Sequence, residues 1–302
     1  MMKSLKKNSL PFVTVIIPFY NDLDRLRECL ICVFLQTYPH DCYEVIVVDN
    51  GSDEDFSPLQ NKFHDLELLY EYRPGSYAAR NTGIRYSKGE VLAFTDSDCL
   101  PAHDWIEKGV IKLASNNIGV LGGRVNLFYK NESNPTAIEI FDSLTFFRQQ
   151  FYIEKFHFSV TANLFTFRYI FEEVGLFNSH LMSGGDFEWC NRVYASGFFL
   201  DYAEDVIVKH PALYSFPQIV MKVMRVTRGR FKIDFYKFSL LKISIEILSN
   251  DFLPPVNRIR KIWLCKHING YSKKAKVIFI LLIMKYISSI EKFSLLVSAI
   301  FR

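Results

Sequence analysis

The chain has 302 residues, of which 49% are hydrophobic, 23% charged and 16% aromatic, with a formal net charge of +4. That is an ordinary globular composition with ample core for one large domain or two small ones, and it excludes a disordered or disulfide-stapled chain. Charge is spread unevenly: from Lys222 onward there are 17 Lys+Arg and 4 Asp+Glu, net +13, so residues 1–221 carry net −9 and the tail expects an anionic partner.

The Met1–Ser9 segment is basic, but Pro11 and Pro18 break the apolar residues after it, so no signal peptide is expected. Six scattered cysteines (Cys29, Cys32, Cys42, Cys99, Cys190, Cys265) lack a small-domain framework and read as reduced thiols of a cytoplasmic protein. Cys29 and Cys32 have the spacing of half a zinc site, but no second pair follows and both fit a helix interior.

VTVIIP (13–18) is a β-branched run ended by proline, hence a buried strand. Asn21 or Asp22 then caps a helix whose apolar positions Leu23, Leu26, Leu30, Val33 and Phe34 keep helical spacing. YEVIVVDNGS (43–52) and LELLYEY (66–72) are further strands, a helix runs through Ala78-Ala79-Arg80, and EVLAFTD is a fourth strand followed by a helix from Ala102 to about Ser115. This alternation predicts an α/β domain with a mainly parallel sheet. Beyond about residue 118 the sequence reads as a strand in VLGGRVNLFY, one aromatic-rich helix over 136–156, a strand over 158–168, helices around EEVG and MSGGDFEW, and a short strand, DVIVKHP (205–211).

Ligands bind at the carboxyl ends of strands in such sheets. Asn21, Asp49-Asn50-Gly51-Ser52 and Asp96-Ser97-Asp98 all fall there. If the strand stays extended, Asp96 and Asp98 point to one side, and two like charges held together call for a cation. The alternative is an Asx-rich turn with Pro101 opening the next helix.

Taken in order, VIIPFYN, VVDNGSDED, AARNTGI, the DSD segment, TANLFTFR, GGDFEW and IVKHP resemble the family 2 glycosyltransferases, inverting enzymes of the GT-A fold. The resemblance spans roughly residues 12–211 and implies transfer of a sugar from a nucleotide-diphospho-sugar. The charge shift near 220 marks the clearest boundary, so the expectation is a catalytic domain over 1–220, with a donor half at about 12–115 and an acceptor half at about 116–220, and a helical basic region over 221–302. A divalent cation, Mn²⁺ or Mg²⁺, would stabilise the leaving diphosphate. Asp98, last of the DxD-type motif, is the expected ligand; by resemblance Asp96 shares the metal or contacts ribose, and His210 supplies a third ligand unless it merely caps a strand end. Pro18 and Tyr20 would shape the nucleoside floor, with Asn21 and Ser97 lining the donor, and Asp49 would either accept a base N–H, as uracil offers, or cap its turn. Arg80 resembles the family arginine that reaches the donor, the alternative being a solvated helix charge.

An inverting transfer needs a base for the acceptor hydroxyl. Asp186 matches the family position, Glu188 stands two residues on to orient the helix or bind acceptor hydroxyls, and Gly185 replaces the Glu of many relatives. Trp189 would stack on an acceptor sugar or fill the core. Arg225 and Arg228 resemble an arginine-rich segment that folds over the diphosphate, or else edge a membrane-facing surface.

In the tail, VIFILLIM (277–284) and FSLLVSAIF (293–301) are too short to span a bilayer, which needs about 20 apolar residues. Lys285, Ser288, Ser289 and Lys292 form a polar stripe, so the expectation is a helix lying in an anionic leaflet, with packing against the protein as the alternative. The whole describes a metal-dependent enzyme at the inner membrane face building a bacterial surface polysaccharide on a glycan or lipid-linked acceptor, with no nucleic-acid partner. A DxD-type phosphohydrolase would need a nucleophilic Asp on the first strand, a nucleotidyltransferase a Gly-rich basic loop after it, and a membrane scaffold gives no reason for Asp98, Asp186 and His210 to coexist.

Overall fold

The computed structural model describes residues 10–115 and 118–301, so the basic Met1–Ser9 segment lies outside the described residues. In chain order the elements are β1 (Val13–Phe19), α1 (Leu23–Phe34), β2 (Tyr43–Asp49), α2 (Ser57–Lys62), β3 (Leu66–Tyr70), α3 (Ser76–Tyr86), β4 (Val91–Phe94), β5 (Leu100–Pro101), α4 (Trp105–Leu113) and β6 (Ile118–Phe128). There follow α5 (Ala137–Thr145), α6 (Gln149–Phe156), β7 (Leu164–Phe167), α7 (Arg168–Val174), α8 (Gly185–Ala195), β8 (Phe199–Pro211), α9 (Phe216–Lys237), α10 (Leu240–Glu246), α11 (Val256–Leu264) and α12 (Tyr271–Ile300).

One sheet runs in the order β3-β2-β1-β4-β7-β6-β8-β5. Its first four strands are parallel, with Phe19 opposite Asp49 and Asp49 opposite Tyr70, so the loops after β1, β2 and β3 leave from one edge. Beyond β4 the pairing turns antiparallel, β4 to β7 and β7 to β6. β1 is buried along its whole length, as its unbroken β-branched run requires. Asp22 caps α1, its side chain accepting from the Arg25 N–H, and Leu26, Cys29, Leu30 and Val33 form the buried face. Cys32 lies half-buried on the same helix.

The chain divides into two compact units: residues 1–126, 148–180 and 186–210, and residues 127–147, 181–185 and 211–302. The second thus joins the residues from Pro211 onward to two earlier segments. The helix expected over 136–156 is two, because Phe147 adopts a left-handed φ of 57° between α5 and α6. The expected strand over 158–168 is shorter, a 3-10 turn at Thr161–Asn163 preceding β7.

Within the second unit, α5 opens on a capping box formed by Thr136 and Glu139. Val277, Ile280, Leu281 and Met284 of α12 recur at helical spacing and form a core with Ile140 and Phe141 of α5, Ile219 and Val223 of α9, and Ile262 of α11. Asp142, fully buried, accepts from the Leu213 N–H at 3.0 Å and pairs with Lys222 Nζ at 2.8 Å.

The polar stripe of α12 faces inward, contrary to expectation. Asp251 draws it there: Lys292 Nζ lies 2.8 Å and Lys285 Nζ 3.7 Å from its carboxylate, and the buried Ser289 hydroxyl donates to its carbonyl at 2.6 Å. Ser288 bonds Thr227 of α9 at 2.8 Å. α12 exposes the large apolar side chains Phe279, Tyr286, Ile290, Phe293, Val297 and Ile300 alongside Lys276, Ser294 and Ser298. No helix among the described residues is long and apolar enough to cross a membrane.

In the first unit a Cβ on Gly109 of α4 would overlap the Phe165 ring of β7, which is fully buried and tilted against Trp105. Gly109→Ala is expected to cost about 1–3 kcal/mol of stability through overpacking. Thermal unfolding followed by circular dichroism checks this, and an unchanged midpoint would show that the ring can yield.

Candidate active site

Asp49 ends β2 almost fully buried, 5% exposed, and its Oδ1 accepts the Ser52 N–H at 3.0 Å. The turn-cap role is therefore realised, while Oδ2 has no hydrogen bond among the described residues. Asn21 (φ 52°) and Asp22 (φ 77°) are both left-handed. Asn21 stitches two loops together: its N–H donates to Ser52 Oγ at 2.8 Å, and its Oδ1 accepts the Asp53 N–H at 3.2 Å. Pro18 is buried within β1 opposite Val48, so it underlies the site without facing it, whereas Tyr20 is 65% exposed.

Asn50 fixes the next loop, donating from Nδ2 to the carbonyls of Glu71 and Arg73 at 2.8 Å each and accepting the Gly75 N–H at 2.7 Å. Glu71 receives Arg73 Nη2 at 2.8 Å and the Thr82 hydroxyl at 2.7 Å. Those bonds, the Arg73 guanidinium first, hold its carboxyl down at about 2.

β4 stops at Phe94, and the DSD segment is a turn, not an extended strand, with the Cys99 N–H donating to the Asp96 carbonyl at 3.0 Å. The strand-alternation argument fails, yet the carboxylates converge by another route. β5 pairs antiparallel with β8, Leu100 opposite Lys209 and Pro101 opposite Val208, and continuing that register sets His210 across from Cys99. One ligand atom each from Asp96, Asp98, Cys99 and His210 lie within 4.8 Å of one another. His210 Nε2 is 3.6 Å from Asp98 Oδ1, and the ring is buried. Two carboxylates and an imidazole could hold a divalent cation, while burial and the adjacent carboxylates push the Cys99 thiol up.

Arg80 comes from the buried face of α3, with a side chain only 4% exposed, which removes the solvated-charge reading. Its guanidinium pairs with Asp96, and its Nε–H is buried with no acceptor among the described residues. A buried donor left this way is an invitation to a ligand oxygen. One turn earlier, the Tyr77 ring lies 5.6 Å beneath the Arg80 guanidinium, and its hydroxyl donates to Asp186 Oδ1 at 3.1 Å. The same Oδ1 accepts the Phe187 N–H at 2.8 Å. Asp186 lies in the first turn of α8 after Gly184, whose φ of 80° is left-handed, and Gly185 begins the helix. Asp186 keeps some exposed surface but is packed round by protein, and that desolvation raises its pKa against the opposing pull of the Phe187 N–H and the Tyr77 hydroxyl.

For Trp189 and Glu188 the geometry favours one of the two roles open to each. Trp189 is fully buried, stacked 4.3 Å from Phe171, with its indole N–H donating to the Gly175 carbonyl at 2.9 Å, so it is core and presents no face to a sugar. Glu188 grips Arg192 at 2.8 Å, and Arg192 donates to the carbonyls of Val174 and Leu176, so the helix-orienting role is the one seen. Arg225 and Arg228 lie on α9 in the second unit, where Arg228 pairs with Glu291 at 2.6 Å. Ser97 is half-buried in the turn between the two aspartates. In the sequence Tyr77 takes no role and Cys99 reads only as a reduced thiol; the three-residue spacing of Tyr77 from Arg80, which stacks them on one helix face, is the available signal.

A parallel half-sheet, an acidic turn beside a histidine and a half-buried carboxylate on a following helix fit a glycosyltransferase of the GT-A fold. Residues 14–175 match the family described as glycosyl transferase family 2, and the chain belongs to that family. It is 42% identical over 231 residues to the glycosyltransferase AglE of Haloferax volcanii, covering 75% of each chain. It is also 22% identical over 265 residues, 80% of this chain and 83% of the other, to a Methanococcus voltae dolichyl N-acetyl-α-D-glucosaminyl phosphate 3-β-D-2,3-diacetamido-2,3-dideoxy-β-D-glucuronosyltransferase. The fold is shared with the Pyrobaculum calidifontis mannosyltransferase PcManGT in complex with GDP-Man and Mn²⁺, at a TM-score of 0.65, 20% identity and coverage of 95% of this chain and 87% of that one.

The Glu71 brace carries a pH signature. A carboxyl lowered to about 2 in the folded state contributes stability that is complete above the ordinary glutamate range and is lost as pH falls from about 4.5 towards about 2. Glu71→Gln should flatten the dependence of the melting temperature on pH across that window. A wild-type slope in the variant would place the acid-sensitive group elsewhere.

Proposed function

We propose that the protein is an inverting, metal-dependent glycosyltransferase that moves a sugar from a nucleotide-diphospho-sugar to a hydroxyl of a glycan or lipid-linked acceptor in surface-glycan assembly. The observation that carries this reading is the convergence, in one unit, of the Asp96/Asp98/His210 cluster, the buried unpaired N–H of Arg80 and the Asp186 carboxylate. Asp98 and His210, with Asp96, hold the divalent cation, which when bound stabilises charge on the departing diphosphate. Arg80 turns its free N–H to a donor oxygen. Asp49 offers Oδ2 to a base N–H such as that of uracil, Tyr20 flanks the base, and Asn21 and Ser97 keep the loops in place. Asp186 takes the acceptor proton as the acceptor oxygen attacks in line. Mn²⁺ in the Pyrobaculum neighbour supports the metal reading, and the dolichyl phosphate in the name of the Methanococcus relative supports a lipid-linked acceptor.

The reading is tested by thermal shift with UDP. UDP should stabilise the wild type much more with Mn²⁺ or Mg²⁺ than with EDTA, and Asp98→Ala should abolish the difference. Equal shifts with and without metal would remove the cation from the mechanism.

We also propose peripheral contact with an anionic membrane face at the cytoplasmic side, through a surface other than the α12 polar stripe. Between Asp251 and Glu291 the sequence holds eight Lys+Arg and no acid. Leu253, Val256, Trp263 and Leu264 are exposed among those charges on and before α11. An exposed tryptophan beside basic residues suits a headgroup boundary. Reversing Arg258, Arg260 and Lys261 to Glu should release the protein from phosphatidylglycerol vesicles while UDP binding persists; retention on those vesicles would overturn the assignment.

A further inference from the structure

The candidate base raises a question of atoms: which carboxylate oxygen receives the proton? Asp186 Oδ1 already accepts two hydrogen bonds, from the Tyr77 hydroxyl at 3.1 Å and from the Phe187 N–H at 2.8 Å. Oδ2 accepts none among the described residues. The Phe187 bond is local to the α8 N-terminus, but Tyr77 comes from α3, far away in sequence, and fixes the rotation of the carboxylate. The tyrosine is itself held: its side chain is buried, its ring tilts against Phe177 at 5.7 Å, and Arg80 lies over its face.

We infer that Tyr77 is a positioning residue for the transfer: its hydroxyl pins Asp186 Oδ1 and leaves Oδ2 as the atom that receives the acceptor proton. The inference rests on the assignment of Asp186 as base. In the step, the acceptor O–H bond breaks and its proton goes to Oδ2, while the acceptor oxygen forms a bond to the anomeric carbon. The bond from that carbon to the diphosphate oxygen breaks, and its electron pair leaves with the diphosphate. Tyr77 keeps its own proton throughout, since burial and the Asp186 charge push its pKa well above the ordinary tyrosine value.

A pin of this kind leaves a titration signature that mere packing does not. The Tyr77 hydroxyl stabilises the ionised carboxylate, so removing it raises the pKa of Asp186, and the acid limb of the pH–kcat profile moves to higher pH. The other charged or titratable groups acting on Asp186 are Arg80, Asp96 and Cys190. All three remain in Tyr77→Phe, which also keeps the ring beneath Arg80.

The experiment compares the full-length wild type, Tyr77→Phe, Asp186→Asn and the double variant. Turnover of a UDP-sugar on a soluble acceptor is followed from pH 5 to 9, with melting temperatures measured alongside. Tyr77→Phe should move the acid limb up by about 0.5–1 unit, lower kcat at acid pH and leave the donor KM within about twofold. The double variant should turn over no more slowly than Asp186→Asn, because the hydroxyl acts through the carboxylate. An unmoved limb with a lower melting temperature would make Tyr77 structural and overturn the inference. A donor KM raised tenfold or more would instead place its hydroxyl on the donor. Near-normal turnover in Asp186→Asn would overturn the base assignment itself, and this inference with it. If Tyr77→Phe melts too early to assay, Phe177→Leu serves as a packing control, expected to lower the melting temperature without moving the limb.

Discussion

A guanidinium removed from water must be surrounded by oxygen, and that constraint on Arg80 organises the site. Asp96 answers it from the turn after β4, which fixes where that turn lies and hence where Asp98 stands beside His210. The same side chain covers Tyr77, which reaches Asp186. One buried charge thus links the acidic turn, the helix behind it and the carboxylate of α8. Because the Arg80 guanidinium is already desolvated, it needs little reorganisation when further charge arrives.

A common pattern runs through the polar groups around it. Asp49 spends Oδ1 on its turn, Asp186 spends Oδ1 on Tyr77 and Phe187, and Arg80 spends one edge on Asp96. Each keeps a second atom free. Anchoring half of a bifunctional group and leaving the other half open orients it without the entropy of a free side chain. The left-handed Asn21 and Asp22 fit the same economy: a backbone region that non-glycine residues occupy at some cost persists because Ser52 and Asp53 hold it from the neighbouring loop.

The parallel half of the sheet was legible because its strands are continuous β-branched runs, and strand ends in such sheets lie together whatever the loops do. The acidic turn was legible as composition but not as geometry. Alternation along a strand does not apply once the chain bends at Asp96, and the two-residue strand that brings His210 back is too short for any periodicity. Trp189 and Glu188 show the ordinary limit of motif reading, since a residue next to a candidate catalytic position is as often a strut as a contact. The tail shows another. The stripe Lys285, Ser288, Ser289 and Lys292 is amphipathic on either reading, and only a distant acid, Asp251, decides which side faces the protein. No local pattern in α12 encodes that partner.

The β5–β8 ladder has only two rungs, at one margin of the sheet, and it carries His210 to Asp98. Short edge pairings open more readily than the strands inside. The imidazole and the carboxylate therefore meet only while those few backbone bonds hold, and any ligand gripping both adds a clasp to the margin. A substitution at Leu100 or Val208, touching neither side chain, would then loosen the pairing of His210 with Asp98 from behind.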